Sequence, residues 1–173
     1  MKLRLAKARI LAATLLAVSV TAPAGAGAQN APAVSLAEAR RAIQAGYAAW
    51  VKARVTLDTN TFQRMLGPDF TIQLPDRKLT RQEFIDRVRT NRPTRFVETV
   101  LTVEPRDNDW SVFLVGKLEV ETKDQEGKTS KEYRVFVSHD GWRQLNDHQW
   151  ILLSSELLSQ QRWKDERPPL ANW

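Results

Sequence analysis

Residues 131–142, KEYRVFVSHDGW, and 149–158, QWILLSSELL, read as two neighbouring strands joined by a short polar turn around Asn146-Asp147. Successive strand side chains alternate between faces, so Arg134, Phe136, Ser138, Asp140 and Trp142 fall on one side of the first strand. By the same rule Trp150, Leu152, Ser154 and Glu156 share a side of the second. A large aromatic stands near the turn in each set, which makes these the core-facing sides. The polar residues farther along, Arg134 and Glu156, are then expected to face one shared pocket. A β-bulge in either strand would reverse the assignment beyond it.

Working outward, residues 95–104 and 110–122 are two further β-rich stretches, set off by polar turns at 107–109 and 124–128. Everything before them has helical character. Ser35 and Glu38 have capping-box spacing, and Leu36, Ala39, Ile43, Tyr47, Trp50, Val51 and Arg54 recur every three or four residues. That pattern predicts a long amphipathic helix with an aromatic patch on its buried face. Asp58 is placed to cap a short second helix carrying Phe62, Met65 and Leu66, ended by Gly67-Pro68. Phe70, Ile72 and Leu74 then alternate as a strand closed by Pro75-Asp76, and Thr80 with Glu83 opens a third helix from Arg81 to about Asn91. Helices first and consecutive long strands after them imply an α+β domain, with a curved antiparallel sheet wrapped on the helices.

The N-terminus is of another kind. Lys2, Arg4, Lys7 and Arg9 precede an apolar run from Ile10 to Val20, and small residues lead to Ala26-Gly27-Ala28. These are the parts of a secretory signal peptide over residues 1–28, and the apolar run is about half the roughly 20 residues a membrane-spanning helix needs. Cleavage is expected before Gln29. Residues 29–34 then form a short leader, 35–160 a single domain and 161–173 a tail. The protein is expected to be periplasmic or secreted and to meet a membrane only during export. Without residues 1–28 the formal net charge falls from +6 to +2, and the remaining Arg and Lys are interleaved with Asp and Glu. No sustained basic stripe is left for phosphate neutralisation, which argues against nucleic acid as a partner.

The chain contains no cysteine, so an exported form has neither a disulfide framework nor thiol chemistry, and stability must come from packing around six Trp and six Phe. No G-x-S-x-G elbow, phosphate-binding loop, dinucleotide fingerprint or H-E-x-x-H occurs. The two histidines, His139 and His148, sit in different elements, and His148 reads as a solvated turn residue. No metal and no cofactor are expected.

The order of these elements resembles the nuclear transport factor 2-like superfamily, in particular its SnoaL-like branch, over residues 36–160. The resemblance is carried by Tyr47 and Trp50 on the first helix, Leu66-Gly67-Pro68-Asp69-Phe70, and Leu79-Thr80-Arg81-Gln82-Glu83-Phe84. It is strongest in His139-Asp140-Gly141-Trp142-Arg143 followed by Trp150-Ile151-Leu152-Leu153-Ser154-Ser155. One departure is the turn Asn146-Asp147-His148-Gln149, where the family more often shows Asp-Gly. The resemblance implies a conical cavity between sheet and helices.

Within such a cone Arg134 would hold a carboxylate-bearing or polarised ligand. Glu156 would accept a proton, with Asp140 and Asp69 as back-up bases, because members that shuffle protons on small apolar substrates use a pocket carboxylate. Tyr47, Trp50, Phe136 and Trp142 would supply ring contacts. The bland alternatives are an Arg134–Glu156 ion pair bracing the sheet, core aromatics on the first helix, and a turn role for Asp69. Three functions fit: a binding module for a small, partly apolar molecule; a cofactor-independent isomerase, cyclase or dehydratase; or a dimeric interaction domain. For the last, Phe113, Val115, Lys117, Glu119 and Glu121 share a strand face that is apolar at one end and charged at the other, and a homodimer through it is expected.

Overall fold

The computed structural model describes residues 34–123, 125–146, 149–166 and 168. The expected signal peptide and nearly all of the leader, His148 and the end of the tail with Trp173 lie outside the described residues. Three helices are each started by a side chain that satisfies the first free amides. Helix α1 (Leu36–Thr56) opens on the Ser35–Glu38 capping box, with Ser35 N donating to the Glu38 carboxylate at 3.0 Å. Helix α2 (Thr59–Met65) is capped by Asp58, which accepts from Thr61 N at 3.2 Å. Helix α3 (Arg81–Thr90) repeats the capping box with Thr80 and Glu83.

The sheet has six strands: β1 (Leu66–Gln73), β2 (Lys78–Thr80), β3 (Pro93–Arg106), β4 (Asp109–Lys123), β5 (Thr129–Asn146) and β6 (Gln149–Lys164). Their order across the sheet is β2-β1-β6-β5-β4-β3. The last four form the expected antiparallel meander. β1 joins β6 in parallel, so the sheet as a whole is mixed, and the short β2 was not foreseen from the sequence. The pairing also absorbs two predicted loop features. Gly67 and Pro68 lie inside β1 instead of ending α2, and β6 continues to Lys164, pairing Arg162 and Trp163 with Arg134 and Tyr133.

Strands of 14 to 18 residues coil strongly, and register shifts in β3 and β6 add to the curvature. The concave face closes over α1 and α3. Ile43, Tyr47 and Trp50 of α1, Phe62 of α2 and Phe84, Ile85 and Val88 of α3 are buried against Val112, Leu114, Trp142 and Leu152 of the sheet. Each fully buried aliphatic or aromatic side chain of this kind stabilises by about 1.5–3 kcal/mol before entropy is counted. Trp50, Phe62, Phe84 and Phe70 meet edge to face or stacked, with Trp50 and Phe84 parallel at 5.2 Å.

Helix α1 crosses the sheet where the Trp142 ring, 1% exposed, slides under Gly46. A Cβ on Gly46 would lie 2.7 Å from the ring's Cη2. Helix propensity alone favours alanine over glycine by about 1 kcal/mol. Overpacking of about 1–3 kcal/mol opposes it here, because the buried indole has no free space to enter. Gly46→Ala is therefore expected to lower stability in urea titration, against the propensity trend.

Candidate functional site

A cavity of about 380 Å³ opens between the concave face and helices α1 and α3. Its walls are apolar, from Trp50, Phe84, Phe96, Leu118, Phe136 and Leu157. Gly116 makes room for the floor. It pairs with Phe136 across the sheet, and the phenyl ring lies where a Cβ on residue 116 would be, 2.0 Å from Cζ.

Set into these walls is a hydrogen-bonded chain whose direction is forced. The Trp142 indole can only donate, and its Nε1 lies 2.8 Å from the Tyr47 hydroxyl. Tyr47 therefore spends its single proton on Asp140 Oδ2, at 2.7 Å. Asp140 is 4% exposed, and its Oδ1 has no partner that meets hydrogen-bond geometry among the described residues. Burial pushes the Asp140 carboxyl up to about 6, against nearby Ser155, Tyr47 and Ser138 hydroxyls that favour the charged form. Since Oδ2 is already an acceptor for Tyr47, a proton taken up by Asp140 goes to Oδ1. The same burial, with Asp140 beside it, raises the Tyr47 phenol well above its ordinary value.

Glu98 is a second acid in the cavity. Its Oε2 is enclosed without a partner among the described residues. Burial first, and then the Asp140 charge, push this carboxyl well above the ordinary range, while Arg54 and the Trp50 side chain pull it down. Trp50 and Arg54 stand one turn apart on α1 and so reach Glu98 together. Arg54, largely enclosed in turn, is pushed down to about 10 by desolvation. Two carboxyls in one enclosed space resist ionising together, which favours the protonated form of Glu98.

The residues expected from the sequence divide clearly. Trp50, Arg134, Phe136 and Asp140 line the cavity. Tyr47 borders a neighbouring groove and reaches the site through its hydroxyl, and Trp142 is wholly buried behind it. Glu156 is not in the site. It is exposed and sits opposite His139 on the outer face, while Ser155 and Leu157 line the cavity in its place. The cause is a bulge: Trp142 pairs with Leu152 but Gly141 pairs with Ser154, so Leu153 is the extra residue and the alternation reverses beyond it. Arg134 accordingly pairs with Glu132 two residues away on its own strand, and no Arg134–Glu156 contact forms. Asp69 is exposed on β1 and does not line the cavity, since Phe70 takes the inward position beside it.

Glu98 and Arg54 went unassigned in the sequence, although both carried a signal. Glu98 shares strand parity with Phe96 and Val100, and Arg54 continues the buried stripe of Tyr47 and Trp50. On the outer face, Ser111 Oγ lies 2.8 Å from His139 Nε2, and His139 stacks on Phe113 at 4.5 Å. Among the described residues no group of three or more His, Asp or Glu is placed to hold a metal ion.

No protein family's sequence profile matches the chain, and no curated protein does. Solved structures do resemble it. An NTF2-like protein from Cytophaga hutchinsonii superposes with a TM-score of 0.57 at 14% identity, over 68% of this chain and 95% of that one. A nuclear transport factor 2 (NTF2-like) superfamily protein from Salmonella enterica gives 0.58 at 7% identity, over 80% and 99%. Aln2 from a Streptomyces species gives 0.55 at 15% identity, over 72% and 92%. At such identities the likeness is one of fold.

The raised Asp140 carboxyl has a consequence for stability. Its folded value, about 6, lies above the unfolded value of 3.8, so between those limits the folded chain binds more protons than the unfolded one. Its contribution to stability therefore falls as pH rises through that window, by on the order of 3 kcal/mol if the whole shift is realised. Asp140→Asn removes this contribution. Urea titrations from pH 4 to 7 are expected to show the variant gaining on the parent as pH rises, and the gain levelling above about pH 6.

Proposed function

We propose that this nuclear transport factor 2-like fold holds a small, partly apolar molecule in its cone, with Glu98 and Asp140 as the polar contacts at the inner end. The observation that carries this reading is the pair of enclosed, incompletely partnered carboxyl oxygens in an aromatic-walled cavity. An unsatisfied buried polar atom costs about 1–3 kcal/mol, and a ligand that supplies the missing partners recovers it. Apolar walls with a few convergent polar groups are what a small-molecule site requires.

A second reading rests on the anchoring of Asp140. One oxygen is fixed by the Tyr47–Trp142 chain and the other is left to take a proton, which is the arrangement of a general base. A proton-transfer enzyme of the isomerase, cyclase or dehydratase kind would use it, with Glu98, in its protonated form, donating to a developing oxyanion. One experiment separates the two. Native mass spectrometry of gently purified protein is expected to show a bound small molecule, which is then returned to fresh protein. Binding alone leaves its NMR spectrum unchanged. Proton transfer yields an isomer or dehydrated product with the parent protein and not with Asp140→Asn. Retention of no molecule from any culture condition contradicts the pocket reading.

We further propose that the domain works outside the cytoplasm, on the strength of the basic, apolar and small-residue segments over residues 1–28. N-terminal sequencing of periplasmic or culture material is expected to begin at Gln29. An intact Met1 terminus in the membrane fraction contradicts export with cleavage.

A further inference from the structure

The cavity is polarised along its length, and its outer end is built for an anion. Five guanidinium groups line it: Arg54, Arg77, Arg87, Arg134 and Arg162. Two of these are already engaged. Arg54 lies beside Glu98, and Arg134 is tied to Glu132. The rest gather at the mouth from three separate elements, three cations against the one carboxylate, Asp76, that lines the same end. Arg77 closes the turn between β1 and β2, where Leu74 N donates to its carbonyl at 2.8 Å. Arg87 projects from α3, and Arg162 stands on β6 directly opposite Arg134. Arg162 donates to Gln160 at 2.7 Å and keeps only a distant contact with Glu132 at 3.9 Å. Neither Arg77 nor Arg87 has an ion-pair partner within 4.0 Å among the described residues, Asp76 acting on Arg87 only from farther away.

Like charges converging on one opening repel, and Arg87 feels it: its pKa is lowered by desolvation and then by Arg77, Arg134 and Arg162. An anion at the mouth relieves that repulsion and can be bound bidentately. Farther in it meets carboxyl groups: Glu98, level with Phe136 through the β3–β4 and β4–β5 registers, and Asp140, six residues along β5 from Arg134, about 20 Å of strand. Between the two ends the walls are Phe84, Phe136 and Leu157.

Resting on the pocket reading above, we infer that the ligand is an amphiphilic carboxylate, held with its head among Arg77, Arg87 and Arg162 and its apolar body pointing inward to Glu98 and Asp140. Guanidinium groups at the mouth and carboxyl groups farther in set the direction of entry as well as the class.

Decanoate, decanol and decylamine share one chain and differ in head group, so they serve as probes, by calorimetry at pH 8 and low salt below their aggregation limits. Decanoate is expected to bind at least tenfold tighter than decanol, and decylamine more weakly than either. The exposed pair Arg77→Ala/Arg87→Ala is expected to weaken decanoate at least tenfold and leave decanol unchanged, whereas Lys117→Ala, on the outer face, changes neither. Decanol binding as tightly as decanoate, or decanoate indifferent to the double variant, overturns the head-group assignment while leaving the pocket reading standing. Failure of all three probes to bind overturns both.

Discussion

The hydrogen bonds from Trp142 to Tyr47 and from Tyr47 to Asp140 tie helix α1 to the middle of the sheet, and the geometry of the cavity follows from them. An indole under a glycine brings the helix close, and the T-shaped contact of the two rings at 5.2 Å and 74° leaves little choice of angle. With Tyr47 fixed in this way, the rest of α1 is fixed too. Trp50 lies one turn on and stacks against Phe84 of α3, and Arg54 another turn on reaches Glu98 of β3. A change at this one junction is thus felt along the whole inner wall of the cone.

That junction also holds the molecule's most costly electrostatics. A carboxylate moved out of water must be hydrogen-bonded or neutralised, and Asp140 and Glu98 take different routes. Asp140 keeps a hydroxyl donor and is pushed up to about 6, while the Glu98 carboxyl is pushed well above its ordinary range despite Arg54 and the Trp50 side chain. One enclosed space therefore contains two carboxyls whose hold on a proton is raised by burial and set apart by different neighbours. Binding and proton transfer both need such a pair, so the cavity alone does not choose between them, and the fate of the bound molecule does.

Much of the fold was legible because it is written locally. Ser35 with Glu38 and Thr80 with Glu83 announce helix starts within four residues, and the inward parity of Arg134, Phe136, Ser138 and Asp140 holds along β5. Glu156 failed for the opposite reason. Whether Leu153 bulges depends on how Trp142 and Gly141 pair with the next strand, a matter of register between strands that no single-strand pattern contains. Strand β2 was missed because three residues carry too little periodicity, and the Pro75-Asp76 turn that folds it back on β1 reads equally well as a loop leading into α3. Glu98 was visible by parity, but a charged residue between Val97 and Thr99 reads as solvent-facing until the helix that covers it is in place.

The parallel seam between β1 and β6 joins parts of the chain that are far apart in sequence. The meander from β3 to β6 grows by hairpins, each closing a short loop. The pairing of Thr71 with Ser154 instead closes a loop of roughly 80 residues, and it cannot begin until β6 has itself been laid down. Loops of that length are entropically slow to close. Arg77 arrives on one side of this seam and Arg162 on the other. Part of the rim of the cone therefore hangs on the longest-range pairing in the sheet, whereas the strands that carry Glu98 and Asp140 are joined by local hairpins.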